Sequence, residues 1–361
     1  MTETAPTAAK RERFVFLDAM RGVAALGVLD LHAVKLFALP SILYLKGQLM
    51  VDFFFCLSGF VLAFAHSSQL QAGTLSTGRF MTLRFVRIWP MLVMGTVLGA
   101  VATLAIQPEL TPSPQHVPAA TLLSLICLPF LENGKFLWLD GVFWSLFAEL
   151  LVNFLFAAFV VRLKDRSLLI LTGALALAFG VTSYLGYGHR LEDVADLIPT
   201  AIRACASFFA GVLVYRAWDR KLVTVKAPWW ALLLTLCVVM ILPIKNDAVL
   251  RSIVMVLLVS VVFPFIVLTG AACQPPFERW AERLGRASFP LYAVHAPIIA
   301  MVAFLCAGLP VGGRIVAMLL TSALVLVAAL ILADAYEAPF RRRLRRALDR
   351  NRLAAPKPTS D

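Results

Sequence analysis

The sequence predicts an all-α, polytopic membrane protein of about ten transmembrane helices, and three observations lead there. Of its 361 residues, 60% are hydrophobic and 15% charged, with a mean hydropathy of +0.84. Soluble domains sit at about 45–50% apolar and about 25% charged, so this chain carries more apolar surface than a core of its size can bury, and the excess must face lipid. Apolar runs of about 20 residues, the length a helix needs to cross the hydrocarbon, recur along the whole chain. Lysine and arginine collect in alternate breaks between those runs, which is the asymmetry that orients a membrane protein.

In order, the runs are Phe16–Leu39, Gln48–Ala65, Ile88–Ile106, Leu137–Val161, Leu168–Leu185, Leu197–Trp218, Pro228–Ile244, Ser252–Ala271, Ala287–Ala307 and Val316–Ala335. The polar, basic start Met1–Arg13 leads straight into the first run, which reads as a retained helix and not as a cleaved signal. Ala119–Leu131 is apolar but short, and is expected to be a re-entrant or interfacial piece of an outer loop. The even-numbered breaks hold Arg79, Arg84 and Arg87, then Arg162, Lys164 and Arg166, then Arg220, Lys221 and Lys226, then Arg279, Arg283 and Arg286. A run of arginines from Arg341 to Arg346 follows the last span, whereas an opposite break carries Glu192, Asp193 and Asp196. Both termini are therefore expected in the cytoplasm. The organisation is a cytoplasmic segment over 1–15, one transmembrane domain over 16–340 and a basic cytoplasmic tail over 341–361.

The net charge of +12 sits in the breaks that orient the chain, so the expected partner is the lipid bilayer and not nucleic acid. Cys56, Cys127, Cys205, Cys237, Cys273 and Cys306 are scattered without a C-x-x-C pair, as small hydrophobes would be. His66, His116 and His189 lie at span ends or in loops without ligand spacing, and no metal is expected.

Ionisable side chains inside a span cost several kcal/mol and mark surfaces that face the protein interior. The first span carries Asp18, Arg21, Asp30, His32 and Lys35. Arg21 and His32 are eleven residues apart, which at ~100° per residue brings them within ~20° of one face and ~16 Å apart along the axis. One inward stripe can thus hold a cation near the cytoplasm and an imidazole deep in the membrane. Asp30 falls on nearly the opposite face and is a poor partner for His32. A buried histidine donating to a backbone carbonyl is the ordinary alternative for His32, and an ion pair with Asp18 is the ordinary alternative for Arg21.

Asp52 is an intramembrane carboxylate in the second span, where Ser58 and Gly59 read as a helix-packing site, as does Gly95-x-x-x-Gly99 in the third. Arg84 and Arg87, three residues apart, present two guanidinium groups on one face at the membrane entrance, which suits either phosphate binding or topological anchoring. Glu149 in the fourth span and Arg203 in the sixth are candidates for a structural pair. His295, in the ninth span, is expected to be structural before catalytic. Secondary transporters also place charges at midplane, but with inverted repeats and broken helices that this sequence does not display.

Several of these segments, in this order, resemble acyltransferase family 3, bacterial membrane proteins that O-acylate sugars and other hydroxyl-bearing molecules. The blocks are Leu17–Gly22 with the Arg-x10-His spacing, Asp52–Phe60, Arg84–Pro90, Trp144-Ser145-Leu146 with Glu149, Ser288–His295 and Tyr336–Phe340. Ala19 and Met50 stand where the family often has glycine. The resemblance implies an acyl-CoA-dependent O-acyltransferase of the bacterial inner membrane, with acetyl-CoA the first candidate donor and co-substrate and with no tightly bound cofactor. It further implies His32 as catalytic base, Arg21 and Glu149 as catalytic partners and Arg84 with Arg87 in the acyl-CoA site. Asp18, Asp52, Ser145, Arg203, Tyr292 and His295 would be supporting residues, and the acceptor a hydroxyl of a sugar, glycan or lipid-linked sugar.

Overall fold

The computed structural model describes residues 14–40, 45–108, 111–187, 191–223, 225–242 and 247–354, with side chains through 348. Each of the ten apolar runs coincides with a helical segment, and among the described residues the fold is all-α apart from one small hairpin. The helices are α1 (Val15–Leu36), α2 (Gln48–Gln71), α3 (Thr77–Ile106), the short α4 (Val117–Ser124) and α5 (Phe143–Ala158). They continue with α6 (Asp165–Tyr184), α7 (Leu197–Asp219), α8 (Trp229–Ile241), α9 (Ala248–Leu257) and α10 (Phe263–Ala271). The last are α11 (Glu278–Leu305), α12 (Val311–Leu332) and α13 (Ala338–Ala354).

Among the described residues, eight helical segments are long and apolar enough to cross a membrane, counting α9 with α10 and α12 with α13 as single segments. Two runs of the expected ten fall outside that set for different reasons. α8 has only 13 residues, and the end of its run at Ile244 lies outside the described residues. α1 has 22 residues but carries Asp18, Arg21, Asp30 and Lys35. Such a helix avoids the cost of charge in lipid by being surrounded by protein, and α1 packs against α2, α8, α10, α11 and α12. By contrast α12 turns Leu320 and Leu324 outward, both more than 60% exposed, as a lipid-facing stripe must.

Close backbone approach builds the interior. A Cβ placed on Gly211 of α7 would run into the carbonyl oxygen of Cys56 on α2, and one on Gly59 of α2 into the carbonyl of Phe208. The two glycines thus make reciprocal notches, and packing without side chains is how membrane helices gain contact when lipid offers no hydrophobic contrast. Gly95 and Gly99 serve the same end, against Ala293 and Leu139 respectively, in agreement with the packing role read from their spacing.

Several boundaries differ from those read in the sequence. The fourth span begins at Phe143 and not at Leu137, because Phe130–Glu132 (β1) and Lys135–Leu137 (β2) pair as an antiparallel hairpin. Asn133 and Gly134 both have positive φ, 51° and 77°, the Asn-Gly turn that joins two strands with the right twist. Arg84 and Arg87 are not in a loop. α3 starts at Thr77, capped by the Ser76 hydroxyl accepting from the Arg79 amide, so both arginines lie within the helix. α11 likewise starts nine residues before the predicted Ala287, at Glu278.

Candidate active site

A cavity of about 490 Å³ lies between α1, α2, α3, α5, α11 and the α12–α13 junction. At one end it is bounded by the starts of α1, α3 and α11, the last turns of α2 and the first turns of α13, the side that the charge pattern assigns to the cytoplasm. Six arginines line it, Arg21, Arg84, Arg87, Arg286, Arg341 and Arg345, against three carboxylates, Asp18, Glu149 and Glu337. At the other end Phe54, Ser145 and Tyr292 form its floor.

Arg21 is held more firmly than an ion pair with Asp18 alone would hold it. Its Nη2 lies 3.2 Å from Asp18 Oδ1 and donates to the Gly285 carbonyl at 2.6 Å, while Nε donates to Ser288 Oγ at 2.9 Å. α11 therefore fixes the guanidinium, and Gly285 permits this because a Cβ there would strike Asp18. Arg84 Nη2 donates to Glu149 Oε1 at 2.8 Å, and Ser58 Oγ donates to the same oxygen at 3.1 Å. Ser58, read in the sequence as packing, thus belongs to the cavity wall. His66, placed at a span end, lies within α2 and also lines the cavity.

The predicted Glu149–Arg203 pair does not form. Arg203 instead clamps Asp52 through two parallel bonds, Nε to Oδ1 at 2.9 Å and Nη2 to Oδ2 at 2.7 Å. Ser207 Oγ donates to Asp52 Oδ1 at 3.2 Å, and the Trp144 ring lies 5.8 Å from the guanidinium carbon. Glu149 is left to the arginine nearer the cavity mouth. Asp52 and Arg203 do not line the cavity, and their fork ties α2 to α7.

Beyond the floor stands a pair of histidines. Ser145 Oγ donates to the Val142 carbonyl at 3.0 Å and lies 2.7 Å from Tyr292 Oη, which orients the phenol. The Tyr292 ring centre is 5.9 Å from that of His295. His295 Nε2 is 3.2 Å from His32 Nδ1, and His32 Nδ1 is also 2.9 Å from the Val28 carbonyl. His295 Nδ1 faces two carbonyls, Leu291 at 3.1 Å and Tyr292 at 2.9 Å, and so must carry its proton. In neutral rings His295 Nε2 is then an acceptor. His32 Nδ1, set between that acceptor and the Val28 carbonyl, carries the proton of its ring. In that tautomer the ring lone pair of His32 is on Nε2.

Arg21 lines the cavity, whereas His32, eleven residues on along α1, is not among its lining residues and meets His295 instead. Asp30, as its face predicts, turns elsewhere and accepts from the Leu45 amide at 3.1 Å. The sequence reading missed Arg286, Ser288, Glu337, Arg341 and Arg345 as cavity residues. The last three lie at four-residue steps on one helix face, a stripe that reads in sequence only as part of a basic tail.

The chain matches the family 3 acyltransferase domain over residues 14–335. It belongs to acyltransferase family 3. As a member of that family it is a multi-pass membrane acyltransferase, and the matched region contains Arg21, His32, Arg84, Arg87, Glu149 and His295. It is also similar to protein 2 in the picA locus of Rhizobium radiobacter, at 34% identity over 190 residues that cover 48% of this chain and 97% of the relative. No solved structure matches the chain.

Proposed function

We propose that this acyltransferase moves an acyl group, an acetyl group in the first instance, from acyl-CoA to a hydroxyl of a sugar, glycan or other small acceptor, in the bacterial inner membrane. The observation that carries the reading is the excess of arginines over carboxylates around the cavity, at the end opposite the histidine pair. A donor of this kind has phosphates at one end and a thioester at the other, joined by a long arm. Guanidinium groups bind phosphoryl oxygens as planar forks, so Arg84 and Arg87 suit the diphosphate. The arm then runs past Arg21 toward Phe54 and Tyr292 and on in the direction of His32, ~16 Å deeper along α1 than Arg21.

His32 Nε2 takes the proton of the acceptor hydroxyl as its oxygen attacks the thioester carbonyl carbon. The new C–O bond forms, the C–S bond breaks, and the proton passes from the imidazolium to the departing thiolate. The products are the ester and the free thiol, with His32 returned to its neutral state. His295 accepts from His32 Nδ1–H and keeps the basic nitrogen on the far side of the ring, a positioning role.

Purified protein in detergent, given acetyl-CoA with and without hydroxyl acceptors, is expected to release thiol only when an acceptor is present. Acetyl-CoA that is neither bound nor consumed with a broad panel of sugars and polyols would contradict the proposal.

A further inference from the structure

The basic helix α13 does more than mark the cytoplasmic side. Arg341 and Arg345, in four-residue steps from Glu337 just before the helix, line the cavity, whereas Arg342, Arg343 and Arg346 do not. The helix is seated on α3, with the Phe340 ring 5.9 Å from that of Trp89. Arg341 Nη1 is anchored to Glu337 Oε1 at 3.0 Å. Among the described residues, Arg87 and Arg345 make no hydrogen bond or ion pair. Arg84, Arg87, Arg341 and Arg345 nevertheless lie near enough to repel one another. Cations gathered in this way raise the energy of the empty site, and a polyanion relieves it.

We infer that α13 supplies a second phosphate subsite, in which Arg345 with Arg341 binds a phosphate monoester lying farther from the membrane interior than the phosphates held by Arg84 and Arg87. From Arg341 to Arg345 the helix climbs ~6 Å, about one turn, which sets Arg345 at the outer end of the cavity-lining stripe of α13. Acyl-CoA carries its phosphates in that same division, a diphosphate on the arm and a monoester on the 3′ position of the ribose. The inference rests on the proposed acyl-CoA reading and deepens it: the helix selects donors bearing the 3′-phosphate. A phosphate of a lipid headgroup has the same chemistry, and the experiment separates the two.

Donor affinity is measured for the full chain in nanodiscs of phosphatidylcholine alone and of phosphatidylcholine with phosphatidylglycerol, using acetyl-CoA and 3′-dephospho-acetyl-CoA. In both lipids Arg345→Gln is expected to weaken acetyl-CoA by about tenfold, the loss of one charge-assisted contact, and to leave 3′-dephospho-acetyl-CoA unchanged. Arg343→Gln, which removes an equal charge from the other face, should change neither. An Arg345→Gln variant that weakens both donors equally, weakens neither, or acts only when phosphatidylglycerol is present overturns the inference. Tight wild-type binding of acetyl-CoA together with an unchanged Arg345→Gln overturns it alone. Wild-type protein that binds neither donor overturns the acyl-CoA reading as well.

Discussion

Removing Asp52 should unfold this protein more readily than any change at the cavity surface, because of what it leaves behind. Arg203 is 4% exposed and Asp52 1%. Asp52→Ala removes both parallel bonds and one acceptor of Ser207, while Arg203 keeps its donation to the Gln48 carbonyl at 2.8 Å and its place by the Trp144 ring. The buried guanidinium loses its carboxylate, and breaking a buried pair in this way costs about 3–5 kcal/mol. Removing both charges with apolar residues of similar size, Asp52→Leu with Arg203→Met, eliminates that penalty and should recover about half of the loss or more. The assay is SDS titration of purified protein in mixed micelles, comparing the wild type, each single variant and the double. A single variant within about 1 kcal/mol of wild type, or a double variant no better than the singles, would refute the assignment of this pair as the α2–α7 clamp.

Three further outcomes follow from the same geometry. Gly211→Val drives a side chain into the Cys56 carbonyl and should cost about 1–3 kcal/mol by the same titration, through overpacking between α2 and α7. His295→Ala leaves the Val28 carbonyl to hold His32 Nδ1, so transfer should fall by about tenfold with donor affinity unchanged, and an unchanged rate would remove His295 from the positioning role. Reporter fusions at Gly134 and Lys164 should fall on opposite sides of the membrane, and the same side for both would overturn the ten-span arrangement that includes α1 and α8.

Periodicity and charge made the helices legible because both are local properties of the chain. A run of about 20 apolar residues has few alternatives in lipid, and every predicted run found a helix. Helix ends were less legible: α3 and α11 begin with arginine-bearing turns that hydropathy alone cannot tell from loops. The hairpin at Phe130–Leu137 was signalled by Asn133-Gly134, a turn signal that lay unnoticed between two apolar runs. Individual site residues on α1 were visible as charges out of place, and the eleven-residue spacing of Arg21 and His32 is intrinsic to one helix. Pairings between helices were not visible. Nothing local tells Glu149 to choose Arg84 over Arg203, or brings His295 to His32 across 263 positions of sequence. Those choices are made by the glycine notches and by the order in which α1, α2, α5, α7 and α11 surround one another.

The central claim is that His32 is the base of an acyl transfer whose donor phosphates are held elsewhere, and the separation of binding from chemistry tests it most directly. An imidazole, with an unperturbed pKa of ~6.5, accepts a proton near neutrality as no other unperturbed side chain does. His32→Ala removes the acceptor without adding charge, and His32 does not line the arginine-walled cavity. Acetyl-CoA affinity and transfer rate should be measured on the same inserted His32→Ala preparation. The expected result is donor affinity equal to wild type with transfer lowered by ~10²-fold or more. Near-normal transfer by a variant that still binds donor would contradict the account and move the base to another residue, with Glu149 the first to examine.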